Sequence, residues 1–223
     1  MKKWASIIIL ILCVPLVIIL GSTVFNNRYA FVSITVALLS CIPFILTFEK
    51  REQNTAKLAI IAVLTALSVI GRLVFGVVPG FKPVTAMVII TAMYFGSEAG
   101  FLTGALTAVI SNFYFGQGPW TPFQMFAWGF IGFVAGLFAR RLKKNKMLLC
   151  AFGVVAGIIF SMLMDIWTVL WQDNYFNLRR YAVTVLSSST FMLLYAVSNV
   201  VFLALFAKPI GTMLERVKNK YGI

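Results

Sequence analysis

Arg140-Arg-Leu-Lys-Lys-Asn-Lys146 runs directly into Met147-Leu-Leu-Cys-Ala-Phe-Gly-Val-Val-Ala-Gly-Ile-Ile-Phe-Ser-Met-Leu-Met164, and the next charge is Asp165. A dense basic run therefore abuts a long uncharged one. About twenty apolar residues of helix cross a bilayer core. Lys and Arg gather on the cytoplasmic flank of such helices. The stretch reads as a membrane helix entered from the cytoplasm. Working outward, the same reading gives eight candidate spans, at about 5–23, 30–48, 57–78, 83–96, 99–115, 122–139, 147–171 and 181–207. Threaded from an inside N-terminus, they put fourteen of the nineteen Lys and Arg in the cytoplasm. Arg28, Lys82, Arg179 and Arg180 fall outside, and Arg72 lies within a span. The pattern implies a multi-pass protein with both termini cytoplasmic.

Composition agrees. Hydrophobic residues make up 61% of the chain and charged residues 11%, far from a soluble domain. The net charge of +13 sits in short runs beside the spans. It sets topology and meets anionic lipid headgroups rather than nucleic acid. Histidine is absent and only six acids are present, which excludes most hydrolytic, redox and metal sites. Cys13, Cys41 and Cys150 all fall in apolar spans, so no disulfide framework is implied. No Gly-x-x-x-x-Gly-Lys-[Ser/Thr] loop occurs, so the chain carries no P-loop for ATP. The run after Lys2-Lys3 imitates a signal peptide but lacks a small-residue cleavage site. It reads as an uncleaved transmembrane helix.

The charged connector Glu49-Lys-Arg-Glu-Gln-Asn54 divides the chain. Residues 1–50 form an N-terminal transmembrane hairpin, and residues 51–223 a six-helix core with a basic tail after Lys208-Pro209. The span at 83–96 is short for a bilayer. Either longer neighbours embed it, or the loop at Gly76–Pro83 dips to membrane depth, where backbone must be covered by protein or line a cavity. Gly96, Gly100, Gly104 and Ala108, then Gly132 and Gly136, then Gly153 and Gly157 repeat at close-packing spacing. Ala59, Ala62 and Ala66 form another smooth face, for internal packing or for a membrane partner.

Polar groups inside spans are costly and mark function. Arg72 lies roughly 22 Å above Lys57, Asn112 roughly 20 Å above Ala99, and Asp165 roughly 28 Å above Lys146, counting 1.5 Å per residue. With Ser187, Ser188, Ser189 and Thr190 they all fall in the outer half and point to one polar pocket opening outward. Duller readings stand beside this. Arg72 can snorkel or neutralise Asp165, Asn112 can bridge helices, and the serines can bond their own backbone. In Asn112-Phe-Tyr-Phe-Gly-Gln-Gly-Pro-Trp-Thr-Pro-Phe-Gln124, Thr121 suits an N-cap, Pro122 the first helical turn, and Gln124 a capping box. Gln117 and Trp120 have no such role and can lie over a flat, partly apolar ligand, or Trp120 can anchor the helix at the membrane interface.

These stretches resemble the substrate-binding S components of energy-coupling factor (ECF) transporters, most of all those for cobalamin. The resemblance rests on Phe48-Glu-Lys-Arg51, Ala59–Ala66, Gly71-Arg72, Gly80-Phe-Lys-Pro-Val84, Gly96-Ser-Glu-Ala-Gly100, and Ser111-Asn112 through Gly-Gln-Gly-Pro-Trp-Thr-Pro to Ala127-Trp-Gly129. It implies an all-α membrane protein of the bacterial cell membrane with a six-helix core, which does not need the hairpin: either the count of spans is too high or the hairpin is an addition. It also implies a vitamin held near the outer face, and as partners a transmembrane coupling protein and two cytosolic ATPases. Ala62 and Ala66, with Ala59, match the face that meets the coupling protein. The expected substrate contacts are Arg72, Phe81, Lys82, Asn112, Gln117, Trp120, Asp165 and Trp171. No catalytic residue, metal or intrinsic cofactor is expected, and cobalamin is the transported ligand. Riboflavin or another flat vitamin fits the same pocket. An ion-coupled carrier using Asp165, a lipid-modifying enzyme and a scaffold are the readings from other classes.

Overall fold

The computed structural model describes residues 55–222 together with Thr35. The N-terminal hairpin expected at 5–48 lies outside the described residues. The described chain forms eight α-helices. They are α1 Thr55–Val74, α2 Val84–Phe95, α3 Ser97–Phe115, α4 Thr121–Leu137, α5 Ala139–Lys144, α6 Lys146–Asp173, α7 Leu178–Ser187 and α8 Ser189–Tyr221. A 3-10 turn, Phe75–Val77, extends α1. Three segments, Thr55–Val77, Lys146–Asp173 and Ser189–Tyr221, are long and apolar enough to cross a membrane. The protein is an all-α membrane protein.

Helix ends follow local chemistry. Asn145 accepts a hydrogen bond from the Leu148 amide at 3.0 Å and opens α6, and Asn177 does the same for Arg180 and α7. Such side chains satisfy the free amides of a first turn. Asn174, at φ 58°, closes α6 in the left-handed conformation. Gly96, at φ 95°, lets α3 start one residue after α2 ends.

The long helices pack lengthwise, α8 antiparallel to α6, so the bundle has two distinct ends. At the basic end lie the start of α1, α5, the start of α6 and the last turns of α8. At the far end lie the loops at 78–83, 116–120 and 174–177. Only twelve residues long, α2 is buried at every position but Tyr94. A helix apolar on all sides belongs inside, and α2 is the embedded span of the two expected alternatives. The loop before it is covered as well. Both the amide and the carbonyl of Lys82 bond Ser198 of α8, at 2.9 and 3.1 Å.

The glycine spacing is packing, as expected. A Cβ at Gly104 of α3 would sit 2.5 Å from the carbonyl carbon of Trp128 in α4, and Gly100 meets Gly132 backbone to backbone. Between α6 and α8, Gly157 faces the Ala196 backbone and Gly153 faces Leu203. Asn199 donates to the Gly153 carbonyl at 2.9 Å.

The last expected span, 181–207, needs correction. It breaks at Ser188 into α7 and α8. Beyond it, the chain after Lys208-Pro209 is no separate tail: α8 continues through Pro209 to Tyr221. Pro209 withholds one amide from the helix, but Leu214, 1% exposed, anchors the following turns in the core.

Gly104→Ala is expected to cost about 1–3 kcal/mol, because its neighbour is backbone and cannot yield. Gly153→Ala should cost less, since its nearest neighbour is the far end of Leu203. Thermal unfolding of the two variants in detergent measures the difference.

Candidate functional site

At the far end a buried hydrogen-bond network links α1, α3 and α4. Arg72, 5% exposed, donates to the Ser111 hydroxyl and, at 2.8 Å, to Asn112 Oδ1. Asn112 Nδ2 donates to Thr121 Oγ1 and Gln124 Oε1, both at 2.8 Å. Thr121 passes its proton to Gln117 Oε1 at 3.0 Å, and Gln117 Nε2 donates to the Val109 carbonyl at 2.7 Å. Asn112 thus acts as a splice, with its oxygen on the cation and its amide on two oxygens from the next helix.

This geometry corrects the capping-box reading. Thr121 is already helical, and α4 has no side-chain cap at its start. The Thr121 hydroxyl and the Gln124 amide are both taken up by Asn112. Pro122 does fall in the first turn.

Arg72 has no carboxylate partner among the described residues. Instead its guanidinium lies 4.8 Å from the Phe115 ring centroid and 4.9 Å from that of Trp128. Faces of aromatic rings attract cations most strongly where water is excluded. The Lys82 ammonium lies 5.2 Å from the same Phe115 ring. Burial, and after it the Arg72 charge, holds the Lys82 pKa below its ordinary value. Arg72 Nε is buried without a hydrogen-bond acceptor.

Asp165 lies elsewhere. It is 6% exposed, accepts a 2.6 Å hydrogen bond from Ser188 Oγ, and lines a cavity of about 640 Å³ between α6 and α7. Thr168, Gln172, Asn177, Arg179, Arg180 and Ser187 also line it. No ion pair joins Asp165 to Arg72. A run of ring contacts leads from Arg72 through Trp128, which stacks on Phe160 at 5.0 Å, to Tyr195, which Phe160 meets edge-on at 5.2 Å. The hydrogen bonds fall in two clusters, Arg72 with Ser111 and Asn112, and Asp165 with Ser188.

The remaining expected contacts divide. Phe81 packs on Phe75 and Phe202 and belongs to the core boundary. Trp120 is half-buried over Gly118 and against the α3–α4–α6 cluster. Trp171 is 49% exposed and packs 5.5 Å from Trp167, outside the Asp165 cavity. Ser187 bonds its own backbone at Val183, as the duller reading has it, and Ser188 bonds both its own backbone at Val185 and Asp165. Ala59, Ala62 and Ala66 are all exposed among the described residues, and Ala59 lines an apolar groove with Met213, Val217 and Tyr221 of α8. Phe115, Trp128 and Tyr195 were not anticipated. Phe115 lies three residues after Asn112, one helical turn on, and that spacing was the one available signal.

These features define the class first: a helical membrane protein that, among the described residues, has a buried arginine with no carboxylate partner, a polar cavity at one end and no metal-binding cluster. A family model described as ECF-type riboflavin transporter, S component, matches residues 52–216. The chain belongs to this family of S components, the substrate-capture subunits of ECF transporters, and is a transport subunit rather than an enzyme. No curated protein and no solved structure matches significantly.

Asn112→Ala should remove partners from Arg72, Thr121 and Gln124 together. A buried polar group left unpaired costs about 1–3 kcal/mol, so a loss in that range or above it is expected in thermal unfolding. Ser111→Ala, which removes one acceptor, should cost less.

Proposed function

We propose that this S component captures cobalamin at the far end, taken as the outer face, and delivers it through a membrane coupling protein driven by two cytosolic ATPases. The positive-inside bias supports this orientation, with the basic end in the cytoplasm. The observation that carries the substrate reading is the pair Arg72 and Lys82. Two cations share one phenyl ring, no described carboxylate pairs with either, and a guanidinium N–H is left over. A like-charge pair in a poorly solvated site is relieved by an incoming anion or by strong carbonyl acceptors. Cobalamin brings both, a phosphodiester and a fringe of amides. The Gly116-Gln-Gly-Pro-Trp-Thr-Pro122 stretch also resembles the cobalamin subgroup. On this reading Arg72 and Lys82 meet acceptor oxygens. Gln117 and Trp120 hold the loop that covers the ligand, and Asp165 receives amide donors.

Riboflavin is the second reading. It is favoured by the description of the matching family model and by a cavity of about 640 Å³, within the usual range for a drug-sized ligand. Cobalamin is several times larger and would have to project from that cavity toward the loops.

Purification of the full chain alone, from cells supplied with both vitamins, distinguishes the two by absorbance and mass. A red cobalamin spectrum is expected. A yellow flavin spectrum would transfer the reading to riboflavin, and absence of any solute would favour a scaffold. Lys82→Gln should weaken cobalamin binding roughly tenfold, the scale of one charge-assisted hydrogen bond, with the melting temperature unchanged.

The exposed Ala59, Ala62 and Ala66 support a docking face for the coupling protein, since small residues let helices approach closely. Ala62→Trp with Ala66→Trp should leave vitamin binding intact and abolish ATP-dependent uptake by the assembled complex. Uptake by the isolated chain in liposomes under a proton or sodium gradient would instead establish an ion-coupled carrier.

A further inference from the structure

The basic end holds a second cavity, apart from the polar clusters at the far end. It encloses about 460 Å³ between α5, the start of α6 and α8, with α2 as its floor. Lys143, Lys144, Lys146 and Lys208 line it, with Glu215 as the carboxylate among them. Four ammonium groups around one acid leave a clear positive excess. The crowding is visible in Lys143, whose pKa is lowered by burial and by the Lys218 charge, with Glu215 opposing. Lys143 is steadied by the Tyr94 ring, 4.0 Å from its ammonium. Lys218, beside it, donates to the Tyr94 carbonyl at 3.0 Å. Pro209, also in the lining, has no amide to give the Leu205 carbonyl. That carbonyl is thereby relieved of its usual helical donor.

The opposite wall is apolar. Leu149, Leu203 and Leu205 line the cavity. Leu205 is 62% exposed, and Phe206 and Leu148 beside it are exposed too. The wall therefore continues outward as a hydrocarbon-compatible surface. Cations at the rim above an apolar groove match one kind of molecule, with an anionic head and acyl tails. Free phosphate would use the lysines and leave the groove empty.

We propose that this cavity binds one anionic phospholipid. The phosphate lies among Lys143, Lys144, Lys146 and Lys208, and the acyl chains run outward along the exposed Leu205, Phe206 and Leu148. Basic pockets between membrane helices hold such headgroups in this way. The site is separate from the vitamin clusters at the far end and does not depend on which vitamin is carried.

The test uses the full chain in detergent, titrated with phosphatidylglycerol or phosphatidylcholine and followed by native mass spectrometry. One phosphatidylglycerol should be retained in preference to phosphatidylcholine. In K143Q/K208Q its retention should fall roughly tenfold, since each lysine near an anionic headgroup contributes measurably. R140Q/K220Q removes the same charge outside the cavity and should retain the lipid as the parent does. Equal retention of the two lipids by the parent would overturn the proposal without any variant. Equal losses in both double variants would overturn it too, since the effect would then be general charge. Displacement of the lipid by millimolar inorganic phosphate would reassign the cavity to a free anion and likewise overturn it.

Discussion

A guanidinium buried among helices, with no described carboxylate to meet it, is the constraint around which the far end is organised. Leaving Arg72 unpaired in a low-dielectric interior would cost several kcal/mol. The protein instead surrounds it with two side-chain oxygens and two ring faces. Each of these must be held in place from a different direction. Ser111 and Asn112 come from one turn of α3, Phe115 from the next, and Trp128 from α4. Asn112 can present its oxygen to Arg72 only because Thr121 and Gln124 accept from its amide. The start of α4 is thereby tied to the end of α1 through one side chain.

That tie demands close helices, which the glycines provide. At Gly100, Gly104 and Gly132 the α3 and α4 backbones meet with no side chain between them. In an apolar solvent the hydrophobic effect does not drive helices together, so contact distance decides the association. Close approach of α3 and α4 is what brings Asn112 within 2.8 Å of residues nine and twelve positions later. Small residues at the middle of the bundle and polar chemistry at its end are two parts of one arrangement.

Much of this was legible beforehand. Charge asymmetry and apolar length marked the long helices α1, α6 and α8, because the bilayer imposes those properties on each segment separately. Arg72, Asn112 and Asp165 stood out for the same reason: polar groups in apolar runs are locally visible. The partners they chose were not visible. Gln124 was read as a cap because Thr-x-x-Gln is a local pattern, but Asn112 offers both residues a donor from another helix, and the tertiary bond prevails. A shared place in the outer half suggests one pocket for Arg72 and Asp165, but depth says nothing of position around the bundle. The rings Trp128, Phe160 and Tyr195 that pack on one another beside Arg72 come from three helices with no shared motif. Continuation of α8 past Pro209 was hidden because the buried face holding those turns, with Leu214, exists only once the core is assembled.

The shortness of α2 completes the connection between fold and site. Twelve residues rise roughly 18 Å, well under the thickness of the hydrocarbon core. Chain from α1 must therefore descend before α2 can begin, and loop backbone at such depth must find protein partners. Residues 78–83 do so by bonding Lys82 to Ser198 through both amide and carbonyl, and by burying Phe81 against Phe202. With its main chain fixed in this way, Lys82 has its ammonium directed at the Phe115 ring that Arg72 already occupies. The paired cations thus follow from helix length. A short central helix forces a loop inward, the loop is stitched to α8, and the stitch holds a second positive charge beside the first.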